Sequence, residues 1–120
     1  MPVASAAPVA SVHHIPADGP LLSSGADALG LLYDDGAADA DWIALPTARL
    51  DPSFFDLRSG VAGEFVQRFV NHRARLAVVG DITAAVEAST ALRDFVRESN
   101  RGAQLWFVAD EAELTRRFGG

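Results

Sequence analysis

The chain has 120 residues, 49% of them hydrophobic and 22% charged, which suits one domain with a single core and is too apolar to stay disordered. A net charge of −6 argues against general affinity for nucleic acid or anionic membrane. Cysteine and lysine are both absent, all ten basic residues being arginines. That removes disulfides, thiolate metal sites, cysteine nucleophiles, Schiff bases and the phosphate-loop lysine.

Residues 1–8 are rich in Ala, Pro and Ser and are expected to fray, leaving 9–120 as the folded domain. MPVASAAPVAS carries no basic residue ahead of its apolar stretch, so no secretion signal is expected. No run approaches the roughly 20 apolar residues that span a bilayer. The expected compartment is the cytoplasm, with neither membrane nor nucleic acid as a partner.

Val9–Ile15 can extend as a strand, and Pro16-Ala17-Asp18-Gly19-Pro20 is turn chemistry, so Leu21–Leu22 is expected to pair back as an antiparallel hairpin. Ser23 or Ser24 caps a first helix with Ala28, Leu29, Leu32 and Tyr33 on one face, stopping at Asp34-Asp35-Gly36. Trp42–Leu45 reads as a buried strand closed by Pro46, and Thr47–Ser53 as a connection. A second helix is predicted over Leu57–His72, burying Val61, Ala62, Phe65, Val66, Phe69 and Val70. Leu76–Val79 is a continuous apolar run ending in Gly80-Asp81, the mark of a strand covered on both faces.

Thr83–Ala88 is ambiguous between loop and an early helical turn. A helix over Ser89–Asn100 should bury Leu92, Phe95 and Val96 and stop at Arg101-Gly102. Leu105–Val108 is another buried strand, and Asp110 with Glu113 makes a capping-box start to a last helix ending at Phe118. The fold class is therefore α/β: a small domain with a four- to five-stranded, mostly parallel sheet, an antiparallel N-terminal edge and about four helices.

His13 and His14 are adjacent in a strand and should point to opposite faces, so they cannot share an ion from one side; His72 sits at a helix end. No metal site and no cofactor are expected. Arg93, Arg97 and Arg101 run beside Asp94 and Glu98 on one helix, which reads as a solvated ion-pair face. The sharper alternative is that Arg93 or Arg101 grips an anion.

The junction FFDLRSGVAGE is the most informative segment. Ser59, Gly60, Val61, Ala62 and Gly63 open a helix whose first N–H groups are unpaired and favour an anion. A phosphate on Ser59 would sit in the favourable field of the helix dipole. The structural alternative is a capped start whose glycines permit close packing, with Glu64 facing water.

FFDLRSGVAGEFVQRFVNHRARLAVVGD and LRDFVRESNRGAQLWFVAD resemble a family of short bacterial proteins known only as a domain of unknown function. Its members carry a similar FFDL-R-T/S-G-x-AGE segment, a GD-ended strand, and LRDF-x-x-ESN-x-G before a last strand. The likeness runs from about Phe54 to Phe118 and brings in Asn100; the chain is longer than usual between Asp81 and Leu92. More distantly, Asp56-Leu57-Arg58-Ser59-Gly60 is similar to the strand-to-helix turn of STAS domains of anti-sigma-factor antagonists. That likeness implies a STAS-like fold with Ser59 as phosphoacceptor, although only Ser59-Gly60 matches position by position.

Two functions follow as expectations. The first is a STAS-like interaction module, binding a protein partner or small anionic ligand through Asp56, Arg58, Ser59, Gly60, Gly63 and Glu64, with Asp81, Arg93, Glu98 and Asn100 nearby. The second is a cofactor-independent cyclase- or isomerase-type enzyme acting on a small metabolite, using Asp56, Glu64, Asp81, Arg93 or Glu98 at the carboxyl ends of the strands. A self-associating homo-oligomeric scaffold is a third.

Overall fold

The computed structural model describes residues 11–34 and 37–119. The expectation for residues 1–8, Val9 and the Asp35-Gly36 stop falls outside them. Four strands are described: β1 (Val12–His14), β2 (Trp42–Pro46), β3 (Arg75–Val79) and β4 (Leu105–Val108). The helices are α1 (Gly25–Leu32), α2 (Val61–Asn71), α3 (Thr83–Ala88), α4 (Thr90–Arg101) and α5 (Glu111–Gly119). The sheet order is β1-β2-β3-β4, and every pair is parallel.

Successive side chains alternate between the two faces, and each face has its own core. Ile43, Leu45, Leu76, Val78, Leu105 and Phe107 pack with α1 and α2, and with Phe95 and Val96 of α4. Trp42, Ala44, Ala77 and Val108 point the other way, where Leu114 and Phe118 of α5 cover them. Apolar residues on both faces explain why β2, β3 and β4 read as unbroken apolar runs. Trp42 and Trp106 stack across β3 with centroids 4.0 Å apart, and Arg117 lies 4.1 Å over the Trp106 ring.

The antiparallel N-terminal edge is corrected: β1 pairs in parallel with β2. The turn at Pro16–Pro20 does form, but Arg49 donates to the carbonyls of Pro20 at 2.9 Å and Pro16 at 3.1 Å. Leu22 then bonds Arg49 O and Asp51 N, forming a parallel bridge with Leu50 instead of a hairpin with β1.

Helix starts follow local chemistry. Ser24 caps α1, accepting from Asp27 N at 3.2 Å, while Asp27 reaches back to Ser23 N at 2.8 Å. Asp110 accepts from Glu113 N at 2.9 Å and Glu113 from Ala109 N at 2.6 Å, the expected reciprocal cap. Helix α2 starts four residues later than Leu57, because Gly60 takes φ +81 and separates it from a 3-10 turn over Leu57–Ser59. Val70 is also corrected, being 46% exposed. Thr83–Ala88 resolves as helix. None of the described helices is long and apolar enough to cross a membrane.

Candidate functional site

The connections leaving the carboxyl ends of the strands build the candidate site. From β2 the chain enters short 3-10 turns at Thr47–Arg49, Pro52–Phe55 and Leu57–Ser59. Asp51 and Asp56 open the last two by accepting N–H groups two residues on, from Ser53 at 2.9 Å and Arg58 at 3.2 Å. From β3 the chain passes Gly80 and Asp81 into α3. Gly80 takes φ +148, and a Cβ there would overlap the Thr47 hydroxyl, so the end of β3 lies hard against the turn after β2.

Two grooves flank α3. One, of about 400 Å³, lies among α3, α4 and the ends of β3 and β4, with Asp81, Thr83 and Glu87 as its polar side chains. The other, of about 560 Å³, has Phe55, Asp56, Leu57 and Arg58 on one side and Ala85, Ala88 and Ser89 on the other. Asp81 Oδ1 accepts the Thr83 hydroxyl at 2.5 Å and the Thr83 N–H at 2.9 Å. Those two bonds, the hydroxyl's foremost, hold the Asp81 carboxyl below its usual value of 3.8. Asp51 is lowered in the same way, first by the Ser53 N–H and then by its side chain.

Of the residues expected to form a site, Asp56, Arg58 and Asp81 line these grooves. Ser59, Gly60, Gly63, Glu64, Arg93, Glu98 and Asn100 do not. Ser59 Oγ donates to Ser53 O at 2.6 Å and accepts from Val61 N at 3.2 Å, fastening the turn to the start of α2. Gly60 and Gly63 are not places of close packing, since nothing lies within 4 Å of a Cβ built on either; Gly60 serves its left-handed backbone instead. The tight glycines are Gly80 against Thr47, Gly19 against the Arg49 guanidinium and Gly25 against Glu64 and Arg68.

Glu64 does more than face water: its Oε1 accepts the Gly25 N–H at 2.8 Å, capping α1 from α2. Asn100 grips β4, donating to Phe107 O at 3.2 Å and accepting from Phe107 N at 2.7 Å. Since Gln104 O accepts from Leu76 N of β3 and Val108 O from Gly80 N just beyond it, Phe107 turns its backbone outward, and Asn100 occupies the place of a next strand. Arg93 and Glu98 are exposed on α4, where Glu98 meets Arg101 at 3.5 Å.

His13 and His14 do face opposite ways, pairing with Asp34 at 2.9 Å and Glu111 at 3.3 Å. Among the described residues no group of three or more His, Asp or Glu could hold a metal ion. Thr83, Glu87 and Ser89 are groove residues that sequence reasoning missed; the only signal was the Asp81-x-Thr83 spacing, which promises a capped turn.

No curated protein and no solved structure matches the chain. A family model described as "Domain of unknown function (DUF4180)" matches residues 8–118, a span holding all four described strands. With nearly its whole length matched, the chain belongs to the DUF4180 family of unknown function.

Proposed function

We propose that this domain is a non-enzymatic binding module that takes a small ligand at the carboxyl end of its sheet, in the grooves beside α3. The observation that carries this is volume at the right place. Grooves of about 400 and 560 Å³ lie beyond the carboxyl ends of the strands, although the β1-β2-β3-β4 order has no reversal of the kind that opens a switch-point crevice. Both fall within the usual small-molecule range of roughly 300–1,000 Å³. A protein partner would favour a broad apolar face, and among the described residues the large exposed apolar side chains Leu21, Tyr33 and Val70 line neither groove.

The second groove carries Asp56 and Arg58, so a small polar ligand with an anionic group fits there against the guanidinium. A STAS-like switch phosphorylated on Ser59 has less support, because a phosphoryl group would first have to displace the bond to Ser53. Cyclase or isomerase chemistry is also less favoured. A general acid needs a raised carboxyl pKa, whereas Asp81 is lowered and suits a fixed anionic anchor.

The test is thermal stabilisation of the protein by a panel of small metabolites, repeated with Val86→Trp and Ala88→Trp. These changes fill the grooves from α3, a helix with no buried residue. A rise in Tm lost in one filled variant supports the module. A rise retained in both, or no rise from any compound, overturns it.

A further inference from the structure

The groove bounded by α3, α4 and β4 has a chemistry that names a ligand class. Ile82, Val86, Val96, Phe107 and Val108 make its walls apolar, and the charges among its lining residues are the two carboxylates Asp81 and Glu87. Both bonds from Thr83 converge on Asp81 Oδ1, which fixes the carboxylate and leaves Oδ2 open to an incoming donor. The net charge of −6 also raises the local concentration of cations.

Resting on the small-ligand function above, we infer that this groove selects amphipathic cations: molecules with a compact apolar body and one protonated amine. The body lies against Val86, Val96 and Phe107. The ammonium donates to Asp81 Oδ2, with Glu87 as a second counter-charge. A neutral molecule of the same shape gains the burial without the ion pair, and an anion of that shape is repelled by both carboxylates. A six-carbon chain or a single ring fits within about 400 Å³.

The test compares hexylammonium, 1-hexanol and hexanoate, which share one apolar chain, in titrations followed by backbone amide NMR shifts. The expected order is hexylammonium, then hexanol, then hexanoate. The preference for the cation should be about fivefold, as befits a solvent-exposed ion pair, and should shrink with added salt. Asp81→Asn should remove most of that preference while hexanol binding stays unchanged, and Glu87→Gln should remove a smaller part. Both positions are exposed, and Glu87→Gln leaves the Asp81–Thr83 turn untouched, so a folding defect in Asp81→Asn would not decide the matter.

Equal binding of hexylammonium and hexanol, or tighter binding of hexanoate, read from the shifts of Ile82, Val86, Val96 and Phe107, overturns cation selection while leaving the groove as a small-ligand site. Shifts from all three confined to residues outside both grooves overturn the selection and the small-ligand function together.

Discussion

Glu64 on α2 accepts the N–H of Gly25 on α1 at 2.8 Å, so one helix supplies the N-terminal cap of its neighbour. The two residues are 39 apart in sequence, and the bond sets how the helices meet over the sheet. The carboxylate also lies at the positive end of the α1 dipole. Gly25 eases the approach, since an added Cβ would stand 3.0 Å from Glu64 Oε1 and 3.1 Å from Arg68 Nε and both side chains would have to give by a few tenths of an ångström.

Glu64→Ala should therefore lower stability by about 1 kcal/mol, the usual cost of a lost cap. Gly25→Ala should gain little alone, because crowding offsets its helix-propensity advantage of roughly 1 kcal/mol. In the Glu64→Ala background that advantage should emerge. Urea unfolding of the two single variants and the double variant measures the coupling, and strictly additive effects would contradict the contact.

Gly80→Ala should be among the most damaging single changes, costing about 2 kcal/mol or more. It combines φ +148 with overlap on Thr47. Thr47→Ala should recover only part of the loss, since the backbone strain remains. Full recovery in chemical denaturation would show that packing alone demands the glycine.

Asn100→Ala should cost about 1–3 kcal/mol by orphaning the Phe107 N–H and C=O. It also uncovers the outer edge of β4, so the variant should self-associate more than the parent does. Sedimentation at two concentrations reads this directly. A variant with unchanged stability and sedimentation would remove Asn100 from the role of edge guard.

Asp51 and Asp81 both have folded-state pKa values below 3.8, so folding favours their ionised forms. Their stabilisation is complete above the unfolded value and disappears as pH falls through the folded one. Thermal midpoints measured from about pH 7 to about pH 2 should fall in acid, and less steeply below about pH 4 in the Asp51→Asn/Asp81→Asn variant. Parallel acid limbs would argue against both caps.

The strands Trp42–Pro46, Arg75–Val79 and Leu105–Val108 are legible in the sequence because burial on both faces leaves continuous apolar runs. The pairing of β1 is not. Turn chemistry at Pro16–Pro20 shows that the chain bends there, while Arg49, some 29 residues from Pro20, decides where it goes next. Asp56 and Asp81 are picked out in the sequence as site residues, while the turns they open, each by accepting from a residue two places along, are seen only in the structure. Glu64 is hidden for the opposite reason. A helical wheel relates it to the core of α2 and carries no information about the end of α1.

The most direct test of ligand binding at the carboxyl end of the sheet is an amide NMR map of the protein titrated with a library of small fragments. Perturbations should cluster at Phe55–Arg58 and Asp81–Ser89, the residues bordering the grooves beside α3. Perturbations gathered instead on α1, α2 or the α5 face, with those segments silent, would contradict it.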